Sequence, residues 1–128
     1  MQSGACLCEG VKIEVEGEAI NVRICHCRLC QKTMGAPFLA RALFPQTKVT
    51  ITGQIKRYSS SDELDRVFCP KCGTTIGAWR KNGTYIGIAL TVFDDRNAFQ
   101  PIEHIWVSEK VDWLKITDGL HQYPYAKS

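Results

Sequence analysis

The sequence predicts an all-β fold, mainly antiparallel, with one or two short helices. Three observations carry that prediction. Turn-forming residues punctuate the chain at short intervals, among them Gly10, Gly17, Pro45, Gly53, Asn82-Gly83, Pro101 and Gly119. The runs between them are brief, and several alternate apolar with polar residues, the period of a half-buried strand. No strand–helix–strand rhythm occurs, which argues against a parallel nucleotide-binding sheet.

The elements follow in order. Residues 11–16 read Val-Lys-Ile-Glu-Val-Glu, a strict alternation. Residues 21–25 form a second strand. Residues 28–34 make a two-turn helix, stopped by Gly35 and Pro37. Strands are then expected over 48–52, 54–58 and 66–68. Residues 75–79 and 84–89 flank Lys81-Asn82-Gly83, and an Asn-Gly pair between apolar runs signals a hairpin. Residues 103–107 complete the set. Trp79, Trp106 and Trp113 are expected to pack in the core or against a sheet. Ser59-Ser60-Ser61-Asp62-Glu63 reads as a polar turn, with a flap over a site as the other reading.

Length predicts one domain spanning 1–128. The 45% apolar content suffices for a core of its own. No apolar run approaches the roughly 18 residues that cross a bilayer, and the first ten residues lack the basic and apolar stretches of a secretory leader. A cytoplasmic protein without a membrane partner is expected. The net charge is +3, with acidic and basic residues interspersed, so no nucleic-acid footprint is visible.

Seven cysteines stand out against this background. In a reducing compartment such density points to metal or catalysis rather than disulfides. They fall into three clusters: Cys6-Leu7-Cys8, Cys25-His26-Cys27-Arg28-Leu29-Cys30 and Cys69-Pro70-Lys71-Cys72-Gly73. In an extended strand, Cys6 and Cys8 would point to one face. Cys69 to Gly73 is a zinc knuckle, whose glycine suits a positive φ after the turn. A structural zinc takes four ligands, so the knuckle needs a second pair. Cys6 and Cys8 supply it in the favoured partition, which leaves Cys25, Cys27 and Cys30 together. A pair from the central cluster is the alternative. Three protein ligands with an open fourth position are the mark of a catalytic zinc. His26, His104 or His121 as a fourth ligand would instead close the site, and a redox Cys27/Cys30 pair is a further alternative.

These clusters resemble the glutathione-dependent formaldehyde-activating enzymes, with centromere protein V as a relative. The resemblance runs through Gly4-Ala5-Cys6-Leu7-Cys8-Glu9-Gly10, the whole Cys25 to Lys32 loop, Gly35-Ala36-Pro37-Phe38, Phe68 to Thr74, His104-Ile105-Trp106 and the Trp113 to Leu120 segment. It implies a β-tent of small sheets around a structural zinc on Cys6, Cys8, Cys69 and Cys72. It also implies a catalytic zinc on Cys25, Cys27 and Cys30. The implied activity is carbon–sulfur lyase chemistry on a thiol–aldehyde adduct of the S-hydroxymethylglutathione type. Zinc is the implied cofactor, and glutathione or another small thiol the co-substrate, with an aldehyde as its partner. Arg28 and Lys32 on the zinc loop, and Arg41 beyond it, are candidates for binding an anionic thiol. The competing class is a non-catalytic zinc module that engages protein or nucleic acid. The oligomeric state is not legible in the sequence.

Overall fold

The computed structural model describes residues 1–126. Its strands, in chain order, are β1 (Gln2–Ala5), β2 (Lys12–Val15), β3 (Asn21–Cys25), β4 (Leu39–Pro45), β5 (Val49–Thr52), β6 (Lys56–Ser59), β7 (Leu64–Phe68), β8 (Thr75–Arg80), β9 (Tyr85–Ala89), β10 (Glu103–Ile105) and β11 (His121–Gln122). One α-helix, α1 (Arg28–Met34), follows β3, and three single 3-10 turns complete the regular structure.

The strands gather into two sheets. A three-stranded sheet runs β1-β2-β5, and an eight-stranded sheet runs β11-β10-β3-β4-β9-β8-β7-β6. All the pairings are antiparallel except those of β10 with β3 and with β11, which are parallel. An all-β, mainly antiparallel fold is therefore what the chain adopts. The chain from β9 returns past Pro101 to lay β10 beside β3, and the connection over 106–120 brings β11 to the other edge of β10, paths that no local residue pattern encodes.

Alternation is carried through to burial. In β2, Ile13 and Val15 are buried while Lys12 and Glu14 are exposed. On one face of the large sheet, Ala42, Phe44, Val67, Trp79, Ile86 and Ile88 enter the core. Phe44 packs edge-on against Phe93 and Phe99, at centroid separations of 6.3 and 5.3 Å. An isolated bridge from Gly4 to Phe93 ties β1 to this aromatic cluster.

The Asn82-Gly83 hairpin joins β8 to β9 as expected, with Gly83 N–H donating to the Arg80 carbonyl. Helix α1 ends where the sequence places its stop, Gly35 adopting the left-handed conformation. The polar stretch expected at 59–63 ends β6 at Ser59 and forms the turn to β7 over 60–63, closed by the Ser60 N–H to Leu64 carbonyl bond. The strand expected over 103–107 ends at Ile105, because Trp106 turns left-handed with φ 57°.

Candidate metal centre

The seven cysteines are all free thiols, and the fold collects them into two groups. Cys6, Cys8, Cys69 and Cys72 form one and Cys25, Cys27 and Cys30 the other, with all sulfurs of a group within 4.8 Å of one another. This is the favoured partition from the sequence.

In the four-sulfur group, Cys6 follows the end of β1 and Cys69 the end of β7. Cys8 Sγ lies 3.6 Å from Cys6 Sγ and 3.7 Å from Cys69 Sγ. A tetrahedral four-thiolate zinc with bonds near 2.3 Å has sulfur–sulfur edges of about 3.8 Å, so the residues fit that ion. Cys6 and Cys8 do not converge as strand neighbours, however. The chain turns at residues 7–10, with Glu9 left-handed at φ 65° and paired Cys6–Val11 hydrogen bonds closing the turn. The knuckle behaves as its spacing predicts. Lys71 and Cys72 N–H groups donate to Cys69 Sγ at 3.4 and 3.5 Å, and Gly73 takes φ 77°. Thr74, which the sequence reading passed over, links the two halves. Its Oγ1 accepts from Leu7 N–H at 3.1 Å and lies 3.1 Å from Cys72 Sγ. The Thr74 hydroxyl and backbone draw the Cys72 thiol down to about 5.

The three-sulfur group is built at the junction of β3 and α1. Cys25 ends β3, Cys27 caps the helix N-terminus, and Cys30 lies in the first turn. Cys27 Sγ accepts from Cys30 N–H at 3.4 Å. Cys25 and Cys30 are buried and Cys27 half-buried. Hydrogen bonds from Cys25 and Cys30 hold the Cys27 thiol far below its usual range, while its two neighbours push Cys25 far above. Three sulfurs this close ionise as a unit, the proton retained by one favouring thiolate on the next. Three soft donors suit zinc as ligands. Among the described residues, no fourth Cys, His, Asp or Glu joins them.

The histidines considered as fourth ligands lie elsewhere. His26 turns away between Cys25 and Cys27, fully buried, with its Nε2 2.8 Å from His104 Nδ1. His104 Nε2 in turn lies 2.7 Å from Asp118 Oδ2. The Asp118 carboxyl is held below its usual range by Leu120 N–H and by His104, so it accepts from His104. His104 Nδ1 then accepts from His26, and His26 Nδ1 is left as a buried acceptor without a hydrogen-bond partner among the described residues. Desolvation first, and His104 second, depress His26 to about 4, so the ring is neutral near pH 7. His121 is exposed and packs on Tyr123. Phe38 is half-buried, its ring tilted on His26 at 5.6 Å.

Arg28 and Lys32 are exposed on α1. With Gln31, Pro37, Val111 and Trp113 they border an open depression of about 420 Å³. Trp113, expected in the core or against a sheet, is 71% exposed there. No strand carries it inward, since residues 110–120 contain no helix or strand. Gln31 anchors this side by donating to the carbonyls of His26 and Glu109 at 2.7 and 2.9 Å.

The sequence reading also missed Arg66. It is 5% exposed on β7, with Nη1 donating to Cys30 Sγ at 3.4 Å and Nε to Ser60 Oγ at 3.0 Å. Its position three residues before Cys69 gave no signal, because the contact joins β7 to a residue of α1 that lies 36 positions earlier in the chain.

Residues 1–109 match the family described as glutathione-dependent formaldehyde-activating enzyme. A Schizosaccharomyces pombe protein named as an uncharacterized lyase is 31% identical over 80 residues, which are 62% of this chain and 58% of that protein. The match thus spans little more than half of the yeast relative's length. A crystal structure of a Rhodobacter sphaeroides protein superposes with a TM-score of 0.59 at 18% identity, covering 94% of this chain and 98% of the other, and it speaks for the fold alone. No helix among the described residues is long and apolar enough to cross a membrane. The cysteine groups are positioned to hold metal ions, the fold is one that a solved structure shares, and the chain belongs to the glutathione-dependent formaldehyde-activating enzyme family.

Proposed function

We propose that this chain is a zinc-dependent carbon–sulfur lyase that makes or breaks a thiol–aldehyde adduct, with glutathione or another small thiol and formaldehyde as its substrates. The observation that carries this reading is the second sulfur group, three thiols gathered at a helix N-terminus with no fourth protein ligand among the described residues. Cys6, Cys8, Cys69 and Cys72 would hold an architectural zinc, and Cys25, Cys27 and Cys30 a second one. A zinc ion held by three residues supplies a position where an outside thiol is bound and favoured as thiolate.

The reaction itself is simple to balance. The thiol sulfur forms a bond to the aldehyde carbon, the carbonyl π pair becomes an alkoxide, and the proton lost by the thiol ends on that oxygen. The chain's own part is to bind and orient. The cap bond from Cys30 N–H to Cys27 Sγ and the Arg66 contact to Cys30 fix two of the three sulfurs. Arg28 and Lys32 border an open depression on the outer side of α1, and they would attract the carboxylates of an anionic thiol such as glutathione. Exposed charges of this kind raise encounter rates more than affinity.

The test is thiol-dependent consumption of formaldehyde by the zinc-loaded protein. The proposal expects consumption above the uncatalysed rate, abolished in Cys27→Ala with the fold retained. Equal rates for the wild type and Cys27→Ala would leave a zinc-binding interaction module as the better reading.

A further inference from the structure

His26 is the single residue between Cys25 and Cys27, and it is tied down on three sides. Its N–H donates to the Ile105 carbonyl at 3.1 Å, its carbonyl accepts from Gln31 Nε2 at 2.7 Å, and its ring Nε2 lies 2.8 Å from His104 Nδ1. Two of these partners belong to the stretch that follows β9, and so does the next anchor. Glu109, on the 3-10 turn Val107–Glu109, reaches back with Oε1 to accept from Arg28 N–H at 2.8 Å, and its carbonyl accepts from Gln31 Nε2 at 2.9 Å. Residues 104–109 therefore hold both sides of the turn that joins β3 to α1, although 78 to 81 positions separate the partners.

These anchors fall where the sulfurs depend on them. The path from Cys25 to Cys27 is set at His26, and the direction of the helix that carries Cys30 is set at its first residue, Arg28. The Arg28 N–H is one of the first-turn amides that a helix leaves unpaired, so the Glu109 carboxylate satisfies it and suits the positive end of the helix. The histidine pair is more than filling. His26 Nδ1 is a buried acceptor without a partner among the described residues, a cost that an apolar ring packed on Phe38 would avoid. What the imidazoles add is direction. Asp118 Oδ2 holds His104 Nε2 at 2.7 Å, which leaves His104 Nδ1 to accept from His26 and so orients the His26 ring.

We propose that His104 and Glu109 are positioning residues for the three-cysteine site, acting through His26 and Arg28 to keep Cys25, Cys27 and Cys30 at the spacing that holds an ion. The inference rests on the reading that this site takes a second zinc. Asp118 acts one step further out, through His104. Contacts that orient ligand residues from outside change metal affinity by about tenfold to a hundredfold, and the loss is read here as faster release of the ion.

The test loads the full chain with zinc, challenges it with an excess of a colorimetric chelator and follows release of the metal. Cys27→Ala assigns the phase that belongs to the three-cysteine site, and release from the four-cysteine site is the internal reference. The quantity read is the ratio of the first rate to the second. A variant that merely loosens the fold speeds both phases rather than raising the ratio, and Gly77→Ala in β8 supplies that control. His104→Leu and Glu109→Ala are each expected to raise the ratio at least about tenfold, with zinc bound at saturation unchanged. Glu109 is half-buried, so its variant keeps the test open should His104→Leu fail to fold. Glu109→Gln, whose side-chain oxygen can still accept from Arg28 N–H, is expected to stay within threefold of the wild type. A ratio within twofold of the wild type in Glu109→Ala, or in a folded His104→Leu, overturns the proposal and leaves two ions per chain. A single release phase in the wild type, unaltered by Cys27→Ala, removes the second ion and this proposal with it.

Discussion

Replacing Cys69 with serine and, separately, Cys30 with serine should have very different consequences for stability. Cys69 is 2% exposed, its sulfur accepts two backbone N–H groups, and it lies 3.7 Å from Cys8 Sγ. Removing it takes one of four donors from the group that joins the start of the chain to the turn between β7 and β8. Structural zinc contributes about 10–16 kcal/mol to folding in small zinc domains, against a net stability of about 5–15 kcal/mol for whole domains. Loss of even half of that contribution exceeds what the core can make up. Cys69→Ser should therefore show no cooperative transition near 25 °C, or a Tm lowered by more than about 20 °C. Cys30→Ser shortens the acceptor that Arg66 Nη1 reaches at 3.4 Å. A buried donor left short of its acceptor costs about 1–3 kcal/mol, which for a chain of this length is a Tm loss of roughly 3–12 °C. Calorimetry on both variants, with bound metal quantified in the same samples, reads the difference. Equal losses, or a Cys69→Ser protein melting within about 5 °C of the wild type, would refute the division into an architectural and a second ion.

Further outcomes follow from single contacts. A Cβ on Gly77 would lie 1.8 Å from the Gly87 carbonyl oxygen, whereas one on Gly87 comes closest to the movable Arg41 side chain at 3.0 Å and meets the Ala78 carbonyl oxygen at an ordinary 3.6 Å. Urea unfolding should therefore find Gly77→Ala the more damaging by about 1–3 kcal/mol, the usual cost of forcing added volume into close-packed backbone. Asp118→Ala leaves the Nε2–H of His104, which is 3% exposed, without its acceptor at 2.7 Å. It should cost about 1–3 kcal/mol, read as a Tm shift, with zinc content unchanged, because no histidine belongs to either sulfur group.

The parts of the fold legible in the sequence are those set by near neighbours. The knuckle, the Asn82-Gly83 hairpin and the stop at Gly35 each depend on a few consecutive residues, and each forms where expected. The grouping of the cysteines was legible by ligand counting, since four donors close a zinc and three remain. What stayed hidden depends on long-range register. Nothing near Arg66 indicates that the fold brings Cys30 of α1 against it. The parallel seating of β10 beside β3 is likewise what brings His104 to His26, 78 residues apart in the chain. Local strain hid other details. Left-handed Glu9 and Trp106 have side chains that usually avoid positive φ, so a turn at Cys8 and a strand end at Ile105 were not foreseen.

The most direct measurement of the central proposal is X-ray absorption at the metal edge of the fully loaded protein, before and after adding a small thiol. Two ions per chain, one in the tetrad and one in the trio, give an average of about 3.5 sulfurs per metal, rising to about 4 when an outside thiolate takes the open position. An unchanged average, or a single ion per chain with about four sulfurs from the outset, would contradict the account.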